Sequence, residues 1–432
     1  MFVNLLNLTG LKKAMIVYAD RRQVVILLMG FSSGLPLLLG FSTLSFWLSR
    51  EGISLSAIGG LVAVSIPYSL KFLWAPVLDG LQLPILTKFF GRRRGWILLT
   101  QVLLIIAIIS LGASDPRQGL VYMAIMAFVL AFISASQDIV VDAYRIEILS
   151  EVEQGAGAAS TQIGYRAGLL VAGAGSIALS SILSWFWIYT IMGAMVTVGI
   201  LAVLLAKEPK LLLEYKSKNK KKENLHLRQT LKNTFLEPLA DLAQRPGIVF
   251  VLMFILLYKY GDAIAGAMAN PFFDRIGFTA LEIASVTKVF GVLATITGVI
   301  LGGVLVAWLG IWLSLLVGGI FQALTNILFS FLAYVGPDIY VLGMAIGFDN
   351  FAGGLGSTAL VAYLSALCSK SFTGTQFALL TSLVAFGRTL MAMLSGWLVD
   401  SLGWVWFFLG TSFLAIPGLL LLLWIKQYKT SM

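Results

Sequence analysis

Cysteine and histidine are almost missing from this chain of 432 residues: Cys368 is the sole cysteine and His226 the sole histidine. One thiol closes no intramolecular disulfide. One imidazole, set in a polar stretch, argues against a histidine-based metal centre and against a Ser–His–Asp triad. Charge is scarce too: Asp, Glu, Lys and Arg make up 12% of the residues, where soluble domains carry about 25%. No small-residue cleavage site follows an apolar N-terminal segment, so the first span is expected to serve as its own insertion signal. What fills the chain instead is apolar: 59% of residues are hydrophobic and the mean hydropathy is +0.93. The runs are too long and continuous for barrel strands of about 10 alternating residues. The class is therefore an all-α polytopic membrane protein.

Residues 1–22 form a short basic N-terminus with Lys12, Lys13, Arg21 and Arg22. Apolar runs follow near 24–48, 56–80, 95–113, 119–148, 155–182 and 185–206, and again near 247–272, 282–308, 310–335, 338–368, 374–399 and 403–425. At about 20 residues per crossing this predicts about twelve spans. The expected organisation is a six-helix bundle over 23–206, a basic linker over 207–246, a second six-helix bundle over 247–425 and a tail over 426–432. The net charge of +10 suggests nucleic acid until its placement is read. Lys88, Arg92, Arg93, Arg94, Arg145, the 207–245 cluster, Lys370, Lys426 and Lys429 all fall on one side, leaving Arg50, Arg117 and Arg275 for the other. The excess of positive charge predicts that both termini and the linker are cytoplasmic. The run KSKNKKKENLHLR reads as a solvated linker near anionic lipid, with no nucleic-acid partner.

The two halves repeat. Arg50, Gly52, Ser54 and Ile58 recur at one constant spacing as Arg275, Gly277, Thr279 and Ile283. Gln154 and Arg166 recur as Gln376 and Arg388, and Ala143–Tyr144 as Ala362–Tyr363. Two parallel six-helix repeats about a linker are the plan of the major facilitators, whose solute site lies between the halves near the midplane.

Ionisable residues inside spans cost roughly 2.5–3.5 kcal/mol even on lenient scales, so they face a cavity or a partner. Here they are Lys71, Arg166, Lys259, Lys288 and Arg388, with Asp138, Asp142, Asp262 and Asp349. Asp138 and Asp142 share one helix face, and two like charges in low dielectric do not both ionise cheaply. Arg145, three residues after Asp142, is expected to keep Asp142 ionised, which makes Asp138 the expected proton carrier. Lys259 and Asp262 read as a local helix pair or as site residues. Lys71 lies on a Pro-bent span beside Tyr68 and Trp74 and, with Arg388, is expected to hold ligand carboxylates. Gln137, Gln162 and Arg166 complete the expected binding set with Tyr258, Lys288, Asp349 and Asn350; Tyr68, Trp74, Tyr165 and Tyr258 offer stacking faces. The stretches GAGAAS (155–160) and AGAGS (172–176) read as packing faces, since no strand precedes them to make a phosphate loop. Asp79 with Arg92, Arg93 and Arg94 reads as a cytoplasmic latch, joined by Arg145.

KFLWAPVLD (71–79), FGRRRGW (90–96), FISASQDIVVDAY (132–144), QGAGAA (154–159), ANPFFDRIGF (269–278), KVFGVLATITG (288–298) and CSKSFTGTQFALL (368–380) together resemble the AmpG muropeptide permeases. The resemblance spans both halves. It implies a major facilitator fold and proton-driven import of N-acetylglucosamine–anhydro-N-acetylmuramyl peptides across the bacterial inner membrane for peptidoglycan recycling. It implies no cofactor besides the proton gradient, no enzymatic activity, and a monomer in the lipid bilayer. The chain is expected to stop at about twelve spans, short of the extra C-terminal helices of some members. Residue patterns alone support a proton-linked transporter of a polar, anionic solute. An acetyl-coenzyme A or other anionic-solute transporter, a non-transporting receptor and a lipid scramblase stay open on that reading.

Overall fold

The computed structural model describes residues 12, 14–54, 57, 58, 64–209, 227–279, 282, 283 and 285–429. The lysine-rich part of the expected linker, 210–226, lies outside them, as do the side chains of Lys288 and of 426–429. Helices account for the architecture, with no strand among the described residues. Nine helices there are long and apolar enough to cross a membrane: Arg21–Arg50, Arg92–Gly112, Gly119–Ile148, Trp185–Leu205, Ile248–Ile276, Ser285–Leu309, Ile311–Val335, Ile339–Leu367 and Ser395–Ile425. The other expected spans are helical but less uniformly apolar. One runs over 64–80, one over 154–179 and one as Thr373–Ala392.

Each departure from a plain helix has a local cause. The second span is interrupted: Ile66–Leu70, a 3-10 turn at Lys71–Leu73, then Ala75–Gly80. Pro67 and Pro76 sit near the start of the two α-helical pieces, where their missing N–H breaks no helical bond. Gly403, at φ 72° and ψ 165°, breaks the helix Ser395–Phe413. A left-handed residue there lets the eleventh span run on past Leu394 and turn into the twelfth. Asp20, Asp115 and Asp338 start the first, fourth and tenth helices by accepting N–H bonds from Arg22, Arg117 and Tyr340.

Packing follows the small residues. A Cβ on Gly34 would lie 2.1 Å from the Tyr165 carbonyl oxygen, and one on Gly164 would lie 2.0 Å from that of Leu27. The first and fifth spans therefore touch backbone to backbone. A Cβ on Gly298 would lie 2.0 Å from the Phe351 oxygen and one on Gly354 would lie 2.5 Å from the Thr295 oxygen, so the eighth and tenth spans do the same. Apolar cores fill each half separately, but Ile146 joins the core of the second half and Ala378 a core of the first. The fourth and eleventh spans thus exchange one residue each across the boundary.

The end of the expected linker is structured. Leu227–Ala243 is a helix, bound to the second half by Gln376 Nε2, which donates to the Pro238 oxygen at 3.0 Å and to Asp241 Oδ2 at 2.8 Å. Arg245 pairs with Asp241 at 2.7 Å and donates to the Leu367 carbonyl. The C-terminal part of the expected linker, past the lysine-rich run, is thus a helix held by tertiary hydrogen bonds, which polar composition does not reveal.

Candidate ligand cavity between the two halves

A cavity of about 440 Å³ opens between the halves. Arg166 reaches it from the fifth span, Lys259 and Asp262 from the seventh, Asp349 and Asn350 from the tenth, and Arg388 from the eleventh. Ser357, Thr295 and Thr381 add hydroxyls to the wall, which sequence reasoning missed because an isolated Ser or Thr carries no period or charge signal. Lys259 Nζ lies 3.1 Å from Asp262 Oδ2, which also accepts from Gln322 Nε2 at 2.9 Å. Asn350 accepts from Thr295 Oγ1 at 2.9 Å and donates to the Ile346 oxygen at 3.0 Å, so its side chain is fixed. Asp349 Oδ1 lies 3.2 Å from Thr325 Oγ1. Arg166 and Arg388 take no hydrogen bond or ion pair among the described residues. Lys259 is matched by Asp262, so these two guanidiniums make the wall attractive to anions.

The other predicted site residues do not line this cavity. Gln137 is fully buried and donates to Ser32 and Ser33 at 3.3 and 3.2 Å, inside the first half. Tyr258 is buried and donates to the Leu315 oxygen at 2.9 Å, so its ring packs in the second half's core rather than offering a stacking face. Tyr68 packs on the first half's core, with its ring 6.3 Å from that of Phe41. Trp74 donates to Ser136 Oγ at 2.9 Å and lies 4.6 Å from the Phe132 ring. Lys71 and Asp138 belong to the second and fourth spans of the first half, off the cavity lining. Asp142 pairs with Arg145 at 3.3 Å, as their three-residue spacing anticipates. Gln162 stands at the cavity's edge: it donates to Thr358 Oγ1 at 3.2 Å and accepts from Ser357 Oγ at 3.0 Å. Lys288 is helical, but its side chain lies outside the described residues.

The two halves are tied together by a polar network at the end of the bundle where the second and fourth spans finish. Asp79 accepts from the Gly374 and Thr375 N–H groups at 3.2 and 2.6 Å and from Thr375 Oγ1 at 2.7 Å. A carboxylate of the first half thus caps the eleventh span, where the helix dipole favours negative charge. Arg93 is fully buried, pairs with Asp79 at 2.7 Å and bonds to Glu147, which accepts from Thr373 Oγ1 at 2.9 Å. Arg92 donates to the Asp79 carbonyl and lies 3.8 Å from Glu147. Arg145 donates to Ser365 Oγ at 3.1 Å and lies 5.3 Å over the Phe377 ring. Arg94 stands apart from the rest. It donates to the Val203 and Leu204 carbonyls at 3.0 and 3.2 Å, closing the end of the sixth span instead of bridging the halves. Glu147 was missed in the sequence, because the arginines that it meets, Arg92 and Arg93, lie on another span. Glu208 caps the third span by accepting from the Arg93 and Arg94 N–H groups at 3.0 and 3.2 Å. Burial pushes the Glu208 carboxyl above its ordinary range despite those bonds.

Residues 24–351 match the family described as Major Facilitator Superfamily. The chain is 41% identical over 413 residues to the anhydromuropeptide permease of Escherichia coli K12, covering 95% of this chain and 81% of that protein. It is 33% identical over 412 residues to the putative transporter AmpG 4 of Rickettsia conorii, covering 95% and 98% of the two chains. Among solved structures, the proton:xylose symporter XylE superposes with a TM-score of 0.62 at 13% identity, over 96% of this chain and 95% of that one. That likeness speaks to the fold alone. The chain is a multi-pass membrane transporter rather than an enzyme, and it belongs to the Major Facilitator Superfamily and, within it, to the AmpG permeases.

Proposed function

We propose that this protein imports anhydro-muropeptides from the periplasm to the cytoplasm across the bacterial inner membrane, as a monomer, with the proton gradient as energy source. The two bundles, 23–206 and 247–425, act as the moving halves, and both termini and the linker lie in the cytoplasm. One observation carries the reading: Arg166 and Arg388, at matching positions of the two repeats, line the same cavity and hold no partner among the described residues. A guanidinium grips a carboxylate through two parallel N–H bonds. Muropeptides carry several carboxylates, and a ligand bound to both arginines is bound to both halves at once. The seal around Asp79, Arg93 and Glu147 then leaves the cavity to be loaded from the periplasmic side. Alternating access exchanges that seal for one at the opposite end.

Uptake by proteoliposomes tests this. Labelled N-acetylglucosamine–anhydro-N-acetylmuramyl tetrapeptide is expected to accumulate when the outside is acidic, and the same compound with amidated carboxylates is expected to accumulate far less. Equal uptake of both would remove the arginines from recognition, and no uptake of either would end the muropeptide reading.

A further inference from the structure

We propose that Asp349, and not Asp138, is the carboxyl group that carries the coupled proton, and that it does so in neutral form while the cavity awaits its anion. This rests on the reading of the cavity as a transport site for an anionic solute. It departs from the sequence, where the Asp138–Asp142 pair is the expected carrier.

The two carboxylates of the cavity are held in different ways. Asp262 Oδ2 accepts from two nitrogen donors, Lys259 Nζ at 3.1 Å and Gln322 Nε2 at 2.9 Å. That is the environment of an ionised acceptor. Asp349 has a single hydrogen-bond partner among the described residues, Thr325 Oγ1 at 3.2 Å. The same hydroxyl lies 2.9 Å from the Gln322 carbonyl oxygen and has one hydrogen to give. With the Gln322 oxygen the nearer acceptor, at 2.9 against 3.2 Å, that hydrogen goes to Gln322, and the Thr325 oxygen is left to accept. A protonated Asp349 supplies the donor that this arrangement calls for. No cation lies within ion-pair distance of Asp349 among the described residues.

Position gives this a use. The charged groups sharing the cavity with Asp349 are Lys259 and Asp262 of the seventh span, Arg166 of the fifth and Arg388 of the eleventh. The ninth span presents Thr325 and Gln322, and Lys288 of the eighth has its side chain outside the described residues. With Asp349 neutral, Arg166 and Arg388 are free for ligand carboxylates. When its O–H bond breaks and the proton leaves to water on the cytoplasmic side, the new carboxylate repels the ligand and competes for the arginines. Ligand and proton then leave together. Asp138, off the cavity wall, has no such lever on the ligand.

The test uses the full chain in proteoliposomes and the labelled disaccharide tetrapeptide. A pH gradient of one unit supports about tenfold accumulation per proton. Asp349→Asn is expected to lower the accumulation ratio to about one while counterflow between equal pH values falls far less; Asp349→Glu is expected to restore pH-dependent accumulation. A second measurement needs no ligand: infrared titration of the wild type is expected to show a protonated carboxyl band near neutral pH that Asp349→Asn removes. Accumulation that still follows the pH gradient in Asp349→Asn, its loss in Asp138→Asn alone, or an infrared carboxyl titration that Asp349→Asn leaves unchanged would each overturn the proposal. Absence of tetrapeptide transport in the wild type counts against the substrate reading and leaves the infrared result to decide on Asp349.

Discussion

Two seams join the halves of this transporter, and they are built from opposite chemistry. At one, the second, third and fourth spans meet the N-terminus of the eleventh through Asp79, Arg93, Glu147, Arg145, Thr373 and Thr375. At the other, the fifth span meets the eighth through glycine. A Cβ on Gly155 would lie 2.5 Å from Val306 Cβ, and one on Gly303 would lie 3.0 Å from the Gly155 oxygen and 3.2 Å from Ala159 Cβ. The first seam is directional: a helix end and a buried guanidinium both need the Asp79 carboxylate in one place. The second is a matter of shape, with few polar groups to satisfy. A directional seam switches between made and broken, because an unmade buried charge is costly. A shape seam tolerates sliding and rocking as long as the surfaces stay smooth.

Breaking the polar seam is expected to have the largest effect. Asp79→Ala leaves Arg93 with one carboxylate and the eleventh span uncapped, and losing one partner of a buried pair costs about 3–5 kcal/mol. The closed end should open, so that a cysteine placed at Ser357 in a Cys368→Ser background reacts faster with reagent from the side carrying the termini. Unchanged labelling would mean that Asp79 is no latch. Roughening the glycine seam comes next. Gly155→Val pushes branched carbon into Val306, and overpacking of this kind costs typically about 1–3 kcal/mol. Transport rate should fall with ligand affinity nearly intact, since the arginines are untouched; equal losses of rate and affinity would count against a sliding seam. Gln162→Ala removes the hydrogen bonds to Ser357 and Thr358, the polar exception on the glycine side. The expected loss is about 1 kcal/mol in thermal stability, and a drop as large as that of Asp79→Ala would erase the contrast between the seams.

The smallest effect concerns pH at the edge of the bundle. The hydrogen bond from Arg22 holds the Asp20 carboxyl below its ordinary value. Burial alone would raise Glu153, but the bonds from Ser150 and Arg22 leave it lowered as well. Folded values below the unfolded ones mean stability that is present above the unfolded pKa and lost as pH falls through the folded pKa. Backbone amides of 148–154 should therefore exchange faster only below about pH 4, because Arg22 also donates to the Ile148 oxygen at 2.9 Å. Exchange independent of acid would show that these exposed pairs hold nothing.

The spans, their repeat and the roster of costly charges were determined by the sequence alone. Apolar length is a local property, and the cost of a charge in lipid belongs to the residue itself. So Arg166, Lys259, Asp262, Asp349, Asn350 and Arg388 were all legible as groups that must face something. What they face was decided by the tertiary structure. Gln137 looks no different from Gln162 in the sequence, yet one turns to Ser32 and Ser33 and the other reaches across to the tenth span. The Asp138–Asp142 pair drew attention because its spacing is visible along one helix. The contrast between Asp262 and Asp349 is not visible there, because Gln322, which bonds to the one, and Thr325, which meets the other, come from a third helix, and only its rotation about its own axis brings those atoms to both carboxylates.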